Sequence, residues 1–140
     1  MRSERISKTT YLLVFDRGDE VVQTLTRFAA DTEVGHFQAI GALERATLAY
    51  WIAETKQYED LPVNEQVEVV SLLGDATRDE KGEPRIHAHA ALGKRDGSLI
   101  GGHLKSGVVM PTLELFFTAG DVKIRRRLDQ ATGLSLIDLG

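Results

Sequence analysis

Apolar positions along this chain fall mostly into short alternating runs, with one stretch of helical spacing among them. KTTYLLVFD (8–16) is rich in β-branched and aromatic residues and stops at Asp16-Arg17-Gly18, which predicts a strand. In DEVVQTLTRFAADTEV (19–34), Val21, Val22, Leu25, Phe28 and Ala29 recur at helical spacing while polar residues fill the other face. This predicts one long helix with Asp19 as its N-cap. After Gly35, HFQAIGALERATLAYWIA predicts one or two strands, with Gly41 marking a break or bulge. ETKQYEDLPV is polar, holds a proline and predicts a loop. EQVEVVSLLGDATRD alternates as a strand as far as Gly74, DEKGEP predicts a turn, and RIHAHAALG the next strand. SLIGGHLKSGVV and TLELFFTAG extend the run of β segments. DVKIRRRLDQATGLSLIDL predicts a short strand or helical turn around residues 122–128, a turn over Asp129 to Gly133 and a last strand from Leu134. One long helix and about seven strands, mostly hairpin-linked, amount to an α+β domain with a largely antiparallel sheet. No linker or repeat interrupts the pattern, so residues 1–140 are expected to form a single domain.

Composition narrows the chemistry. The absence of cysteine excludes disulfides, thiolate zinc sites and cysteine nucleophiles. No apolar run approaches the roughly 18 residues that span a membrane, and MRSERISKTTYLLVF has no uninterrupted apolar core of a signal peptide. The expectation is a cytoplasmic protein with no membrane partner. Seventeen Lys and Arg against 21 Asp and Glu leave a net charge of -4, which weighs against nucleic-acid binding by the whole surface. One basic cluster remains in KIRRRL: Lys123, Arg125, Arg126 and Arg127 are candidate phosphate contacts, or else a solvated edge or subunit contact.

Three of the four histidines lie within RIHAHAALGKRDGSLIGGHLKSG. In a strand, His87 and His89 point to the same face. The turn between the strands decides where His103 points. A two-residue loop, Asp96-Gly97, would place His89 opposite Leu104 and turn His103 to the other face. A three-residue loop, Arg95-Asp96-Gly97, would put Gly97 at the left-handed position and set His89 opposite His103. All three imidazoles would then share a face, the ligand set of a catalytic zinc site with an open fourth position. The alternative is a hairpin whose histidines are partly exposed strand residues with hydrogen-bonded rings. Gly101 and Gly102, lacking side chains, would leave space beside the histidines for a ligand or another subunit's backbone. His36 stands apart as a structural or exposed residue.

Two carboxylates are acid–base candidates. Glu114 in TLELFF and Glu68 in VEVVSL are flanked by apolar residues. Either could be a general base or hold a histidine in orientation; a salt bridge or an exposed strand face is the plainer alternative for each.

In order, FQAIGALERATLAYW, VEVVSLLGDATRDEKGEPRIHAHAALGKRDGSLIGGHL, VVMPTLELFF and RRRLDQATGLSLIDL resemble the PPC domain, the plants and prokaryotes conserved domain, over nearly the whole chain. The resemblance implies an α+β fold with a central antiparallel sheet, similar to that of acetolactate decarboxylase, assembled as a homotrimer. It implies that His87, His89 and His103, which match the H-x-H…GGH pattern, cluster and hold a divalent metal, zinc foremost. It also carries a DNA-binding label. In plant members a separate AT-hook, Arg-Gly-Arg-Pro, makes the minor-groove contact; KIRRRL lacks the glycine and proline that shape it. The expectation is therefore a homotrimer with a three-histidine zinc site beside a small-molecule pocket, its reaction unassigned. The alternative is a DNA-binding or transcription-associated protein without an AT-hook. A third possibility is an interaction module, with LELFF and TLAYW as subunit interfaces.

Overall fold

The computed structural model describes residues 1–32 and 34–140. In chain order the elements are β1 (Arg2–Arg5), β2 (Thr10–Phe15), α1 (Val21–Ala30), β3 (Gly35–Ile52), β4 (Gln57–Val63), β5 (Val67–Arg78), β6 (Pro84–Gly93), β7 (Leu99–Ala119), β8 (Arg125–Leu128) and β9 (Ser135–Asp138). The sheet is antiparallel throughout except for one parallel bridge between β5 and β8. The α+β reading stands, with nine described strands in place of about seven.

The helix is ten residues long, not the long helix that the periodic stretch to residue 34 suggested; residue 33 lies outside the described residues. Its end is set by Arg78, whose guanidinium donates to the carbonyls of Ala29 and Thr32 at 2.8 Å each. Its N-cap is Glu20, not Asp19. One Glu20 oxygen accepts the Gln23 N–H at 2.6 Å and the other the Gly107 N–H at 2.8 Å, so the cap also fastens the helix to β7. The Asp19 carboxylate instead accepts the Asp16 N–H at 2.9 Å inside the preceding turn.

Two long strands organise the sheet. β3 runs unbroken through Gly41, where its register with both neighbours shifts. A Cβ there would lie 2.4 Å from the Thr112 carbonyl oxygen, so only glycine admits this approach. β7 joins two segments that the pattern separated, and Pro111 falls in the gap between the Leu43–Val109 and Gly41–Leu113 pairs, where no ladder hydrogen bond is lost. β4 replaces the expected loop; Pro62 is accommodated because, among the described residues, β4 pairs on one side alone, with β3. β6 pairs with both β5 and β7, so β3, β5, β6 and β7 close a circuit.

Inside, Leu13, Phe15, Phe37, Leu72, Leu92 and Phe117 pack against the Val21, Leu25 and Ala29 face of α1. Each such large apolar side chain contributes about 1.5–3 kcal/mol relative to exposure. The alternation that buries these positions turns the intervening residues of β3, β5, β6 and β7 outward, and the histidines are among the latter.

Candidate metal centre

Both turns that flank β6 are of one kind. After Asp79, a loop of Glu80, Lys81 and Gly82 returns the chain to Glu83, with the Gly82 N–H on the Asp79 carbonyl at 3.0 Å. After Lys94, a loop of Arg95, Asp96 and Gly97 returns it to Ser98, with the Gly97 N–H on the Lys94 carbonyl at 2.9 Å. Both glycines have positive φ, +86° and +82°, the left-handed position of this loop type. The Asp96 carboxylate also accepts the Ser98 N–H at 2.9 Å. Of the two registers open from the sequence, the three-residue loop is the one adopted: Gly93 faces Leu99, and His89 faces His103. The first turn likewise sets Asp75 opposite His87.

Directly opposed residues of antiparallel strands project to one side, so His87, His89 and His103 converge. Their ring centroids are 5.1, 5.4 and 5.7 Å apart, and each ring offers a nitrogen within 4.8 Å of the others. Burial, and then the charge of His87, lower the His89 pKa. For His103, burial first and the neighbouring positive charges after it push the pKa down from 6.5 to about 4. Both rings are thus neutral at neutral pH, the form that donates a lone pair to a metal. The Nδ1 of His103 is buried with no hydrogen-bond partner, which suits a ring positioned for an ion rather than for the protein. Three convergent imidazoles fit a zinc-type ion with an open coordination position.

Asp75 was not anticipated. Its Oδ2 lies 3.4 Å from Nδ1 of His87, and both its oxygens face the Arg126 guanidinium, at 2.9 and 3.0 Å. Burial alone would raise the Asp75 pKa; the His87 imidazole and the Arg126 guanidinium outweigh it and hold the carboxyl below its usual range. The available signal was the turn chemistry of DEKGEP, which sets this pair as KRDGS sets the other.

The histidines open into a recess of about 610 Å³, walled by Trp51 and Tyr58 on one side and by Leu134, Ser135 and Leu136 on another. The Tyr58 ring lies 5.2 Å from that of His103, and the buried indole N–H of Trp51 has no partner. Glu68 and Glu114 do not line this recess; both are exposed on other parts of the sheet, and Phe116, on the same face as Glu114, is itself exposed. Neither Gly101 nor Gly102 lines the recess. A Cβ on Gly102 would lie 2.9 Å from the Ala49 carbonyl oxygen, so backbone fills that position; Gly101 is exposed, and a Cβ there would lie 3.2 Å from the Ala90 carbonyl oxygen. His36 is exposed, on β3 opposite Asp75.

The basic cluster is divided. Lys123, Arg125 and Arg127 are exposed, and Arg127 Nε lies 3.2 Å from Asp138. Arg126 is not a free phosphate contact: it is 7% exposed and its guanidinium is committed to Asp75, Thr77 and Ser135.

The Plants and Prokaryotes Conserved (PCC) domain matches residues 2–120. The chain is 31% identical over 121 residues to the bifunctional protein GlmU of Synechococcus sp. (strain JA-3-3Ab), a match that takes in 83% of this chain but only 18% of that protein's length. Among solved structures, a metal-containing protein of Archaeoglobus fulgidus shares 32% identity and a TM-score of 0.83, over 97% of each chain. A plant- and prokaryote-conserved (PPC) protein of Pyrococcus horikoshii shares 29% identity and a TM-score of 0.85, over 98% of this chain and 93% of that one. A protein of Bacteroides thetaiotaomicron, described as a candidate DNA-binding protein, shares 26% identity and a TM-score of 0.93, over 98% and 96%.

Proposed function

This chain belongs to the plants and prokaryotes conserved domain family, and from that premise we propose that it is a homotrimeric zinc-binding protein with a small-molecule recess at its metal centre. The observation that carries the reading is the convergence of His87, His89 and His103, aligned by the turn between β6 and β7. Imidazole nitrogens suit zinc as well as copper, iron and nickel, and three of them with an open position are the ligand set of a catalytic zinc site. The description of the Archaeoglobus fulgidus relative as metal-containing supports the same reading. A zinc ion held there would polarise a carbonyl or activate water on a ligand lying in the recess. The chain's own contribution is to keep His89 and His103 neutral and to wall the ligand with Tyr58 and the β9 segment.

The trimer reading draws on a second feature. Ile40, Val70, Leu73 and Phe116 are exposed on one face and line a shallow depression. Leu73 pairs with His89, so this apolar strip abuts the metal centre. Subunits meeting on the strip would place a neighbour beside each histidine cluster. Glu114 lies on the same strip, so any part it takes in proton transfer would be in a neighbour's recess. We read residues 1–140 as one domain, because residues beyond the family match wall the same recess.

The test is elemental analysis of the wild type beside His89→Ala. About one zinc or similar ion per chain, lost in the variant, is the expected result; a wild type that takes up no zinc after saturation and desalting would overturn the reading. A DNA-binding reading keeps some support in the description of the Bacteroides thetaiotaomicron structure and in the exposed Lys123 and Arg125. Its signature is affinity that collapses with added salt.

A further inference from the structure

The β8–β9 hairpin, residues 125–138, lies beyond the stretch that matches the family, residues 2–120. Little apolar surface holds it: Leu128, Leu136 and Ile137 are exposed. Among the described residues, its only ladder contact with the rest of the sheet is the single parallel pair Arg78–Arg125. What does anchor it is Arg126, the one charged side chain among the buried residues described. Its Nε donates to Thr77 Oγ1 at 2.9 Å, its Nη1 to the Ser135 carbonyl at 2.8 Å, and its Nη2 to both oxygens of Asp75 at 2.9 and 3.0 Å. Nη2 straddles both carboxylate oxygens, a charge-assisted contact that holds the Asp75 carboxylate in place. That carboxylate faces Nδ1 of His87 at 3.4 Å, leaving the opposite ring nitrogen for an ion.

We propose that Arg126 and Asp75 make the β8–β9 hairpin a positioning element of the metal centre: Arg126 aims Asp75, Asp75 sets the His87 ring, and hairpin docking and metal binding are coupled. Neither residue touches the ion; both act through His87. The proposal rests on the metal reading given above. A carboxylate behind a ligating histidine fixes its tautomer and raises its basicity, and loss of such a partner weakens metal binding about 10- to 100-fold. Coupling is reciprocal: if docking strengthens metal binding, metal strengthens docking by the same factor.

The experiment titrates zinc against a chromophoric chelator for the wild type, Asp75→Asn, Arg126→Met and Arg127→Met. In parallel, amide hydrogen exchange across residues 125–138 is followed with and without zinc. Asp75→Asn and Arg126→Met should lower zinc affinity about 10-fold or more, with full occupancy recovered at higher zinc. Arg127→Met, which removes exposed ion pairs with Asp138 inside the same hairpin and, at 4.0 Å, with Glu80 outside it but touches neither Asp75 nor His87, should leave it unchanged. In the wild type zinc should slow exchange across the hairpin, and in the first two variants that slowing should disappear. A wild type that binds zinc, with both variants at wild-type affinity and hairpin exchange indifferent to zinc, overturns the coupling and leaves the metal reading standing. A wild type that binds no zinc overturns both. Should Arg126→Met fail to fold, the near-isosteric Asp75→Asn and the wild-type exchange data still decide the question.

Discussion

At the scale of single residues, the site is a matter of protonation. His103 is pushed down to about 4 from 6.5, chiefly by burial. Between those values the unfolded chain takes up a proton that the folded chain does not. Stability from the neutral ring is therefore whole above about pH 6.5 and declines until about pH 4, where this ring's contribution to the slope ends. His89 is lowered in the same direction. Asp75 acts in a different window: its carboxyl is held low, so its contribution is lost only as pH falls through its depressed pKa. Metal-free wild type should thus lose about 1–3 kcal/mol more than His103→Gln between pH 6.5 and 4, after allowance for solvent screening of a half-buried ring. Urea melts at the two pH values check this; parallel losses would show that the ring titrates normally. The histidines were legible in the sequence because their spacing is local and one turn decides it. Arg126 was not: KIRRRL reads as a basic run, and only the fold shows that its middle arginine points inward while its neighbours point out.

At the scale of elements, turn chemistry governs register, and register governs the site. The signal was strongest where glycine is obligatory, as at Gly97 and Gly41. It failed where the partner strand decides the outcome. β4 is exposed at five of its seven residues and buries only Val63, so little in its own pattern distinguishes a strand from a loop; its pairing with β3 does. The helix end was equally hidden, since Arg78, far along the chain, caps it. Two glycine substitutions separate local strain from displacement of the site. Gly97 has φ +82° and nothing within 4 Å of a built Cβ. Gly97→Ala should cost roughly 1–2 kcal/mol of backbone strain and leave zinc stoichiometry intact. At Gly74 a Cβ would lie 2.4 Å from both the His87 carbonyl oxygen and the Phe37 ring. Gly74→Ala must therefore push β6 away from β5, and should lose more stability than Gly97→Ala and weaken zinc binding as well. Equal effects of the two substitutions on zinc would argue that the register of β6 does not control the centre.

At the scale of the whole molecule, the decisive feature is the outward apolar strip. Ile40 is 63% exposed, Leu73 57% and Phe116 45%, clustered on one face and continuous with His89. Large contiguous apolar patches on a protein surface commonly serve as interaction sites. In the trimer we propose, the same strip joins the subunits and brings a neighbour to the edge of each recess. Phe116→Asp puts a charge at the centre of that contact without touching the core, since the side chain already faces solvent in the single chain. Sedimentation equilibrium of the wild type should give about three times the 15.5 kDa chain mass, and Phe116→Asp a single-chain mass. All three histidines come from one chain, so the dissociated variant should still bind zinc. A ligand that also needs the neighbour's wall should bind the variant far more weakly. A wild type that sediments as a single chain at micromolar concentration would sink the trimer. Retained zinc in that case would show that the metal centre is complete within one subunit.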